Sequence, residues 1–236
     1  MNKGTLYLIP SELAPASGHA YITEELKSVV KSIQHFAVEN VRTSRRFVSS
    51  LKLGLVIESL DFKVLSKKTK PLEIKDILSP LFDGHNVGIL SEAGCPGVAD
   101  PGSEAVKMAH NFGIKVVPLV GPSSILLALM GSGLNGQSFA FHGYLPIAPQ
   151  ELGKKVALLE SESRKNAVTQ IFIETPYRNN KLASMLVQRL SNDTMLCIAK
   201  NLTAEDQWIE TKAVKDWKDN LPELHKIPAV FLFLAQ

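Results

Sequence analysis

Residues 91–102 read SEAGCPGVADPG, with three glycines (Gly94, Gly97, Gly102) and two prolines (Pro96, Pro101) in twelve residues. Glycine permits positive φ and close backbone approach, and proline fixes φ, so the segment predicts a rigid, tightly folded loop. It directly follows the apolar run VGIL at 87–90, which predicts a buried strand, and precedes an amphipathic segment at about 103–112 that predicts a helix ending at Gly113. A strand, a glycine-rich loop and a helix in this order predict an α/β fold with largely parallel sheets. In such folds ligands sit at the carboxyl ends of strands. The loop also carries Glu92 and Asp100. It is either a ligand cradle or a tight structural turn with solvated acids.

Outward from this loop the same alternation repeats. Strands are expected at 5–9, 35–39, about 62–65 and 115–119, with helices at 20–34, 42–52, 71–82 and 123–130. The segment VVPLVGPSSILLALMGSGL (116–134) is a second strand, Gly-Pro turn and helix. The free N–H groups at that helix start, with Ser123 and Ser124, suit either ligand binding or ordinary capping. Phe139 to Gly143 reads as a strand closing the first half, and Pro146 to Gly153 as a linker. Beyond it, helices are expected at 151–165 and 178–190, and strands at 170–173, 195–199, 207–211 and 229–234. The short links between the last three strands predict an antiparallel part of a mixed sheet. The reading is therefore two α/β domains, residues 1–145 and 146–236.

Composition narrows the class. Among 236 residues, 45% are hydrophobic and 21% charged, ordinary for a globular enzyme and unlike a disordered chain. The net charge of +3 allows an anionic substrate without demanding one. Two distant cysteines, Cys95 and Cys197, predict reduced thiols, and no His/Cys/Asp spacing suggests a catalytic metal. The short apolar run in MNKGTLYLIP meets a proline and is no signal peptide. No stretch approaches the ~18 apolar residues of a membrane span, so a cytoplasmic protein is expected. Aromatic residues make up 7%, too few for a dedicated single-strand RNA stacking platform. No G-x-G-x-x-G follows the first strand, which argues against a nicotinamide-dinucleotide enzyme.

Seven short motifs in chain order resemble the tetrapyrrole methylase family, in particular its 16S ribosomal RNA cytidine-2′-O-methyltransferase I type. GTLY (4–7) matches the opening strand, and AVENVRTSRR (37–46) the A-E-D-T-R-x-T segment. Residues 91–102 match S-D-A-G-x-P-G-x-x-D-P-G, with Glu92 in the aspartate position, and VGPSS (120–124) matches P-G-P-S-A. FHGYLP (141–146), IETPYR (173–178) and NLTAED (201–206) match F-x-G-F-L-P, Y-E-S-P-H-R and E-L-T-K. The resemblance implies two α/β domains that hold S-adenosylmethionine between them, in a homodimer. It assigns cofactor contacts to Glu92, Cys95, Ser123, Ser124, Glu174, Thr175, Asn201, Leu202, Pro228 and Ala229.

The implied reaction is methyl transfer to a ribose 2′-hydroxyl of ribosomal RNA. A tetrapyrrole or other small acceptor, and a binding protein without catalysis, are the alternatives. A ribose hydroxyl needs a base or a positioning group near pH 7. Glu39, at a strand end, Arg42, at the next helix start, and Glu12 are the catalytic candidates: Glu39 as proton acceptor or partner of Arg42, and Arg42 as phosphate holder. A structural ion pair between them is the competing reading. The basic runs RTSRR (42–46) and SKKTK (66–70) are either solvated surface or RNA contacts, and His142 is expected to be a satisfied core histidine. The chain departs from the family at PSELAP (10–15), Asn40 and Val41, SKKTK, and Ile147 to Pro149, which predicts a rebuilt substrate entrance. The extra C-terminal domain of many relatives is not expected here.

Overall fold

The computed structural model describes residues 2–14 and 21–236. Pro15, which ends the PSELAP segment, and Ala20, where the expected first helix begins, lie outside the described residues. The chain divides into two compact units, Met1–Ser123 and Ser124–Gln236.

The first unit holds an all-parallel sheet of β1 (Thr5–Ile9), β2 (His35–Val38), β3 (Asp61–Val64), β4 (Val87–Leu90) and β5 (Lys115–Pro118), ordered β3-β2-β4-β1-β5. Its helices are α1 (Glu24–Ser32), α2 (Val41–Ser50), α3 (Pro71–Ile77) and α4 (Ser103–Asn111). A parallel sheet must be covered on both faces, and alternate strand residues supply the two cores. Leu6, Ala37, Val87 and Ile89 pack with Ile74 and Ile77 of α3 and with Ala105 and Ala109 of α4. Ile9, Phe36, Val38 and Leu90 pack with Leu26 and Val30 of α1 and with Val48 of α2.

Local chemistry sets the helix ends. Thr23 caps α1 by accepting from Leu26 N at 3.1 Å, and Asn40 caps α2 by accepting from Arg42 N at 2.9 Å. Asn40 thus keeps a capping function where the family carries aspartate. Helix α3 opens on Pro71 but stops at Ile77, short of the expected Phe82. Pro80 has no N–H to extend the ladder, and the chain continues as a 3-10 turn over Ser79–Asp83. Gly113 ends α4's exit turn with φ +60°, as expected of a left-handed cap.

The second unit contains α5 (Ser124–Ser132), β6 (Phe139–Tyr144), α6 (Pro149–Asn166), β7 (Thr169–Ile173), α7 (Asn179–Arg189), β8 (Met195–Lys200), β9 (Trp208–Ala213), α8 (Val214–Trp217) and β10 (Ala229–Leu234). Its sheet runs β6-β7-β10-β8-β9. β6 and β7 are parallel, joined across α6, and the β7–β10, β10–β8 and β8–β9 pairs are antiparallel. Ile125, Ala128 and Leu129 of α5 cover one face over Ile171, Cys197, Ala199, Val230 and Leu232. Phe172, Phe231, Phe233 and Ile198 face α6, α7 and Trp217 on the other.

Two expectations change here. Phe139–Tyr144 does not close the first sheet but pairs with Thr169–Ile173 in the second, so the compact units divide after Ser123 rather than after residue 145. The expected linker at 146–153 is mostly the first turn of α6. Pro149 stands in that turn, where its missing N–H costs no hydrogen bond.

Candidate active site

Three loops interlock at the carboxyl edge of the first sheet. They follow the adjacent strands β4, β1 and β5. Ser11 and Gly94 exchange backbone hydrogen bonds, Ser11 N to Gly94 O at 2.9 Å and Gly94 N to Ser11 O at 3.3 Å. The Ser11 hydroxyl donates to Ser91 O at 3.1 Å, and the Ser91 hydroxyl to Gly94 O at 3.1 Å. The Cys95 thiol donates to Pro122 O at 3.4 Å, and burial pushes its pKa up, which keeps it protonated. A Cβ on Gly121 would stand 2.3 Å from Pro10 Cβ, so glycine is required there for the β1 and β5 loops to meet. Gly94, Gly97 and Gly102 have φ of +72°, +80° and +136°. The glycines of the 91–102 loop therefore do the conformational work that the sequence assigned to them.

Carboxylates gather beside this scaffold. Glu39 lies directly after β2, and Glu92 and Asp100 lie in the loop after β4, the strand adjacent to β2. Burial and the charges of Glu39 and Glu92 push the Asp100 carboxyl up to about 6, against the opposing effect of Lys67. Glu39 is also raised, first by burial and then by Glu92, while Lys67 opposes the shift. Thr43 of α2 donates to Glu92 Oε1 at 3.3 Å. Repelling carboxylates at a strand-end edge form a site that gains from a cation.

Arg42 is exposed in the first turn of α2, and no ion pair joins it to Glu39 among the described residues. The charges that act on Glu39 are instead Glu92 and Lys67, and Glu39 in turn raises Asp100. Asp100, Lys67 and Thr43 are additions to the expected site. Asp100 was legible as an acid of the glycine-rich loop, but only the pairing of β2 with β3 and β4 brings Lys67 and Thr43 to it.

In the second unit the remaining expected residues collect on one edge of its sheet. Ile173 pairs with Val230, and Lys200 with Ala229, so Glu174, Asn201 and Pro228 all follow or precede neighbouring strand ends. Asn201 N donates to Pro228 O at 3.1 Å. Glu174, whose side chain is only 7% exposed, accepts from Thr175 N at 2.6 Å and from Arg178 Nη2 at 2.5 Å. Leu202 is buried in the core with Ile125 and Leu129 of α5, a packing role. Ala229 is buried and Pro228 exposed. Asn201, Thr203 and Lys226 hold positive φ of +49°, +76° and +61° along this edge. Asn179 Oδ1 and Arg178 Nε are buried there without hydrogen-bond partners. Strain and unsatisfied groups concentrate where structure serves something other than stability. Ser123 ends the first unit, and Ser124 begins α5 in the second. His142 is half-buried rather than in the core, and its Nε2 pairs with buried Gln170 across 2.5 Å.

No helix among the described residues is long and apolar enough to cross a membrane. No protein-family profile matches the chain. Among curated proteins it is similar to ribosomal RNA small subunit methyltransferase I of Vibrio cholerae, with 29% identity over 87% of this chain and 67% of that protein. The Halalkalibacterium halodurans enzyme of the same name is 30% identical over 87% of the chain and 67% of its own length. The Bacillus subtilis enzyme is 30% identical over 85% and 64%. The chain thus spans about two thirds of the length of these relatives. Two solved structures share the fold. Uroporphyrin-III-C-methyltransferase from Thermus thermophilus has a TM-score of 0.58 at 18% identity, over 98% of this chain and 94% of that one. The methyltransferase CobJ has a TM-score of 0.65 at 16% identity, with the same coverages. Seven collinear motifs, an α/β fold shared with solved methyltransferases, and 30% identity across two thirds of a relative together establish that the chain belongs to the ribosomal RNA small subunit methyltransferase I family of methyltransferases.

Proposed function

We propose that the protein transfers a methyl group from S-adenosylmethionine to a ribose 2′-hydroxyl of small-subunit ribosomal RNA. The observation that carries this reading is the carboxylate trio Glu39, Glu92 and Asp100 at the carboxyl edge of the parallel sheet, with Asp100 raised to about 6. Crowded carboxylates suit a ligand with positive charge, and when bound S-adenosylmethionine supplies a methyl group on a cationic sulfur. The relatives' name supports the RNA acceptor.

The residue roles belong to the same reading. Glu92 and the Gly94–Cys95 backbone would hold the methyl-donating end of S-adenosylmethionine, and Ser123 and Ser124, at the start of α5, would hold its polar groups. The family resemblance adds Glu174, Thr175, Asn201 and Pro228, at one edge of the second sheet, as cofactor contacts, with Leu202 and Ala229 packed in the core beside them. Glu39 accepts the proton of the ribose hydroxyl as its oxygen takes the methyl group. A base pKa raised toward neutrality serves that transfer better than an ordinary carboxylate. Arg42, exposed and in no ion pair among the described residues, would hold the neighbouring phosphate. A homodimer and a cytoplasmic location belong to the same reading and rest on the family resemblance.

Calorimetric titration with S-adenosylmethionine and S-adenosylhomocysteine tests the cofactor assignment. Micromolar binding that weakens at least tenfold in Glu92→Ala and Ser123→Ala is expected. Absence of binding of either compound overturns the reading. Transfer of labelled methyl to a porphyrin in preference to small-subunit RNA overturns the acceptor alone.

A further inference from the structure

Charge is unevenly distributed along the chain. Residues 40–70 contain eight Lys or Arg and two Asp or Glu, a local charge of +6 in a chain whose total is +3. The fold concentrates this excess on one edge. β2 and β3 are parallel neighbours, and Leu65 N donates to Val38 O at 2.8 Å. Helix α2 leaves the end of β2, and the loop 65–70 leaves the end of β3. Arg42 at the helix start and Lys67, Lys68 and Lys70 of the loop therefore flank the same carboxyl edge, and Arg45 and Arg46 extend the basic surface along α2, with Arg45 over Phe62 of β3.

All six are exposed, and none forms an ion pair among the described residues. Surface lysines and arginines are ordinarily interspersed with acids, so an unneutralised group of six marks a face that meets an anion. Lys67 reaches the carboxylate trio electrostatically, which ties this rim to the transfer site. The rim offers no free aromatic platform, since Phe62 is half-buried beneath the Arg45 guanidinium, 5.4 Å from the ring centroid. Exposed cations without a ring on which bases can stack suit the phosphate backbone.

We infer that the rim formed by Arg42, Arg45, Arg46, Lys67, Lys68 and Lys70 is the docking surface for the RNA phosphodiester backbone on either side of the methylated nucleotide, an inference that rests on RNA being the acceptor. The rim positions the strand and carries no sequence information of its own, so base selection lies elsewhere.

The test is fluorescence anisotropy of a labelled small-subunit RNA stem-loop titrated across salt concentrations. Six phosphate contacts give a log–log slope of about −4, so affinity falls ~300-fold between about 50 and 200 mM salt. The exposed triple variant Arg46→Ala/Lys68→Ala/Lys70→Ala halves the slope and reduces that loss to ~20-fold. A charge-matched control in the second unit, Lys154→Ala/Lys165→Ala/Lys181→Ala, keeps the wild-type slope. Equal slopes for all three proteins, equal losses in the two variants, or equally salt-sensitive capture by anionic lipid vesicles overturn the inference. Calorimetry with S-adenosylmethionine on the same rim variant separates the two readings. Its cofactor affinity stays at the wild-type value if only RNA docking is lost, whereas a wild-type protein that binds no cofactor fails on the methyl-transfer reading instead.

Discussion

Acidification is expected to weaken S-adenosylmethionine binding through Asp100 and to spare S-adenosylhomocysteine. Burial, together with Glu39 and Glu92, holds the Asp100 carboxyl at about 6. At pH 7 roughly nine tenths of the population is ionised, and at pH 5 roughly one tenth. If the cationic sulfur requires the ionised form, the apparent Kd rises about tenfold between pH 7 and pH 5, or ~1.4 kcal/mol. S-adenosylhomocysteine carries no charge on sulfur and shares the rest of the cofactor, so its Kd changes far less. Asp100→Asn binds S-adenosylmethionine more weakly at pH 7 and loses the step. Folding stability gives an independent check of sign. A carboxyl raised in the folded state is destabilising when ionised. That cost is fully present above pH 6 and is relieved as pH falls from about 6 toward the unfolded value of 3.8. Asp100→Asn therefore raises Tm at pH 8, with a gain that shrinks toward pH 4. Identical pH profiles for the two ligands, or a wild-type profile retained by Asp100→Asn, would refute the placement of the sulfonium beside the trio.

Other expectations follow from single contacts. Lys67→Met removes the cation that lowers both Glu39 and Asp100, so the midpoint of the pH step moves above 6 in the same calorimetry; a midpoint that stays or falls contradicts the assigned neighbours. Gly121→Ala forces a methyl group against the rigid Pro10 ring at 2.3 Å, and chemical denaturation is expected to show a loss of about 1–3 kcal/mol. Glu160, 8% exposed, accepts from Ser191 N at 2.8 Å and from the buried Thr194 hydroxyl at 2.5 Å. Glu160→Ala strands both donors and costs about 2–4 kcal/mol in the same experiment, with partial recovery in Glu160→Gln.

The elements most legible in the sequence were those that local chemistry determines alone. VGIL at 87–90 and AVFLFL at 229–234 are continuous apolar runs, and both are strands with those bounds. Gly113 ends its helix because its left-handed turn needs no partner from elsewhere in the chain. The errors fell where tertiary pairing decides. Gly143, Pro146 and Pro149 look like punctuation between domains, but β6 pairs with β7, and Pro149 opens a helix instead of interrupting one. The site shows the same division. The glycines of 91–102 and the acids Glu92 and Asp100 were visible as a loop after a strand, since both features are contiguous. The company that Glu39 keeps was not visible, because strand order places it beside residues that lie 28 to 61 positions along the chain.

Strand order also separates acidic from basic groups along one sheet edge, which the proposed pairing of a cationic donor with an anionic acceptor requires. Opposite charges that intermingle neutralise each other and attract neither ligand. In the order β3-β2-β4, the acids of the β4 loop lie on one side of Glu39, and the lysines that follow the edge strand β3 lie on the other. Helix α2 starts at that boundary. Its Thr43 hydroxyl reaches toward Glu92, and its Arg45 and Arg46 remain exposed. The boundary residue on the basic side is Lys67, which tempers the trio without cancelling it, since Asp100 still stands well above an ordinary carboxyl. A parallel sheet achieves this separation because every strand ends on the same edge, and the sequence order of the strands differs from their order in space. On the proposed function, that charge reversal assigns the methyl donor to the acidic side, the phosphates to the basic side, and Glu39 to the hydroxyl between them.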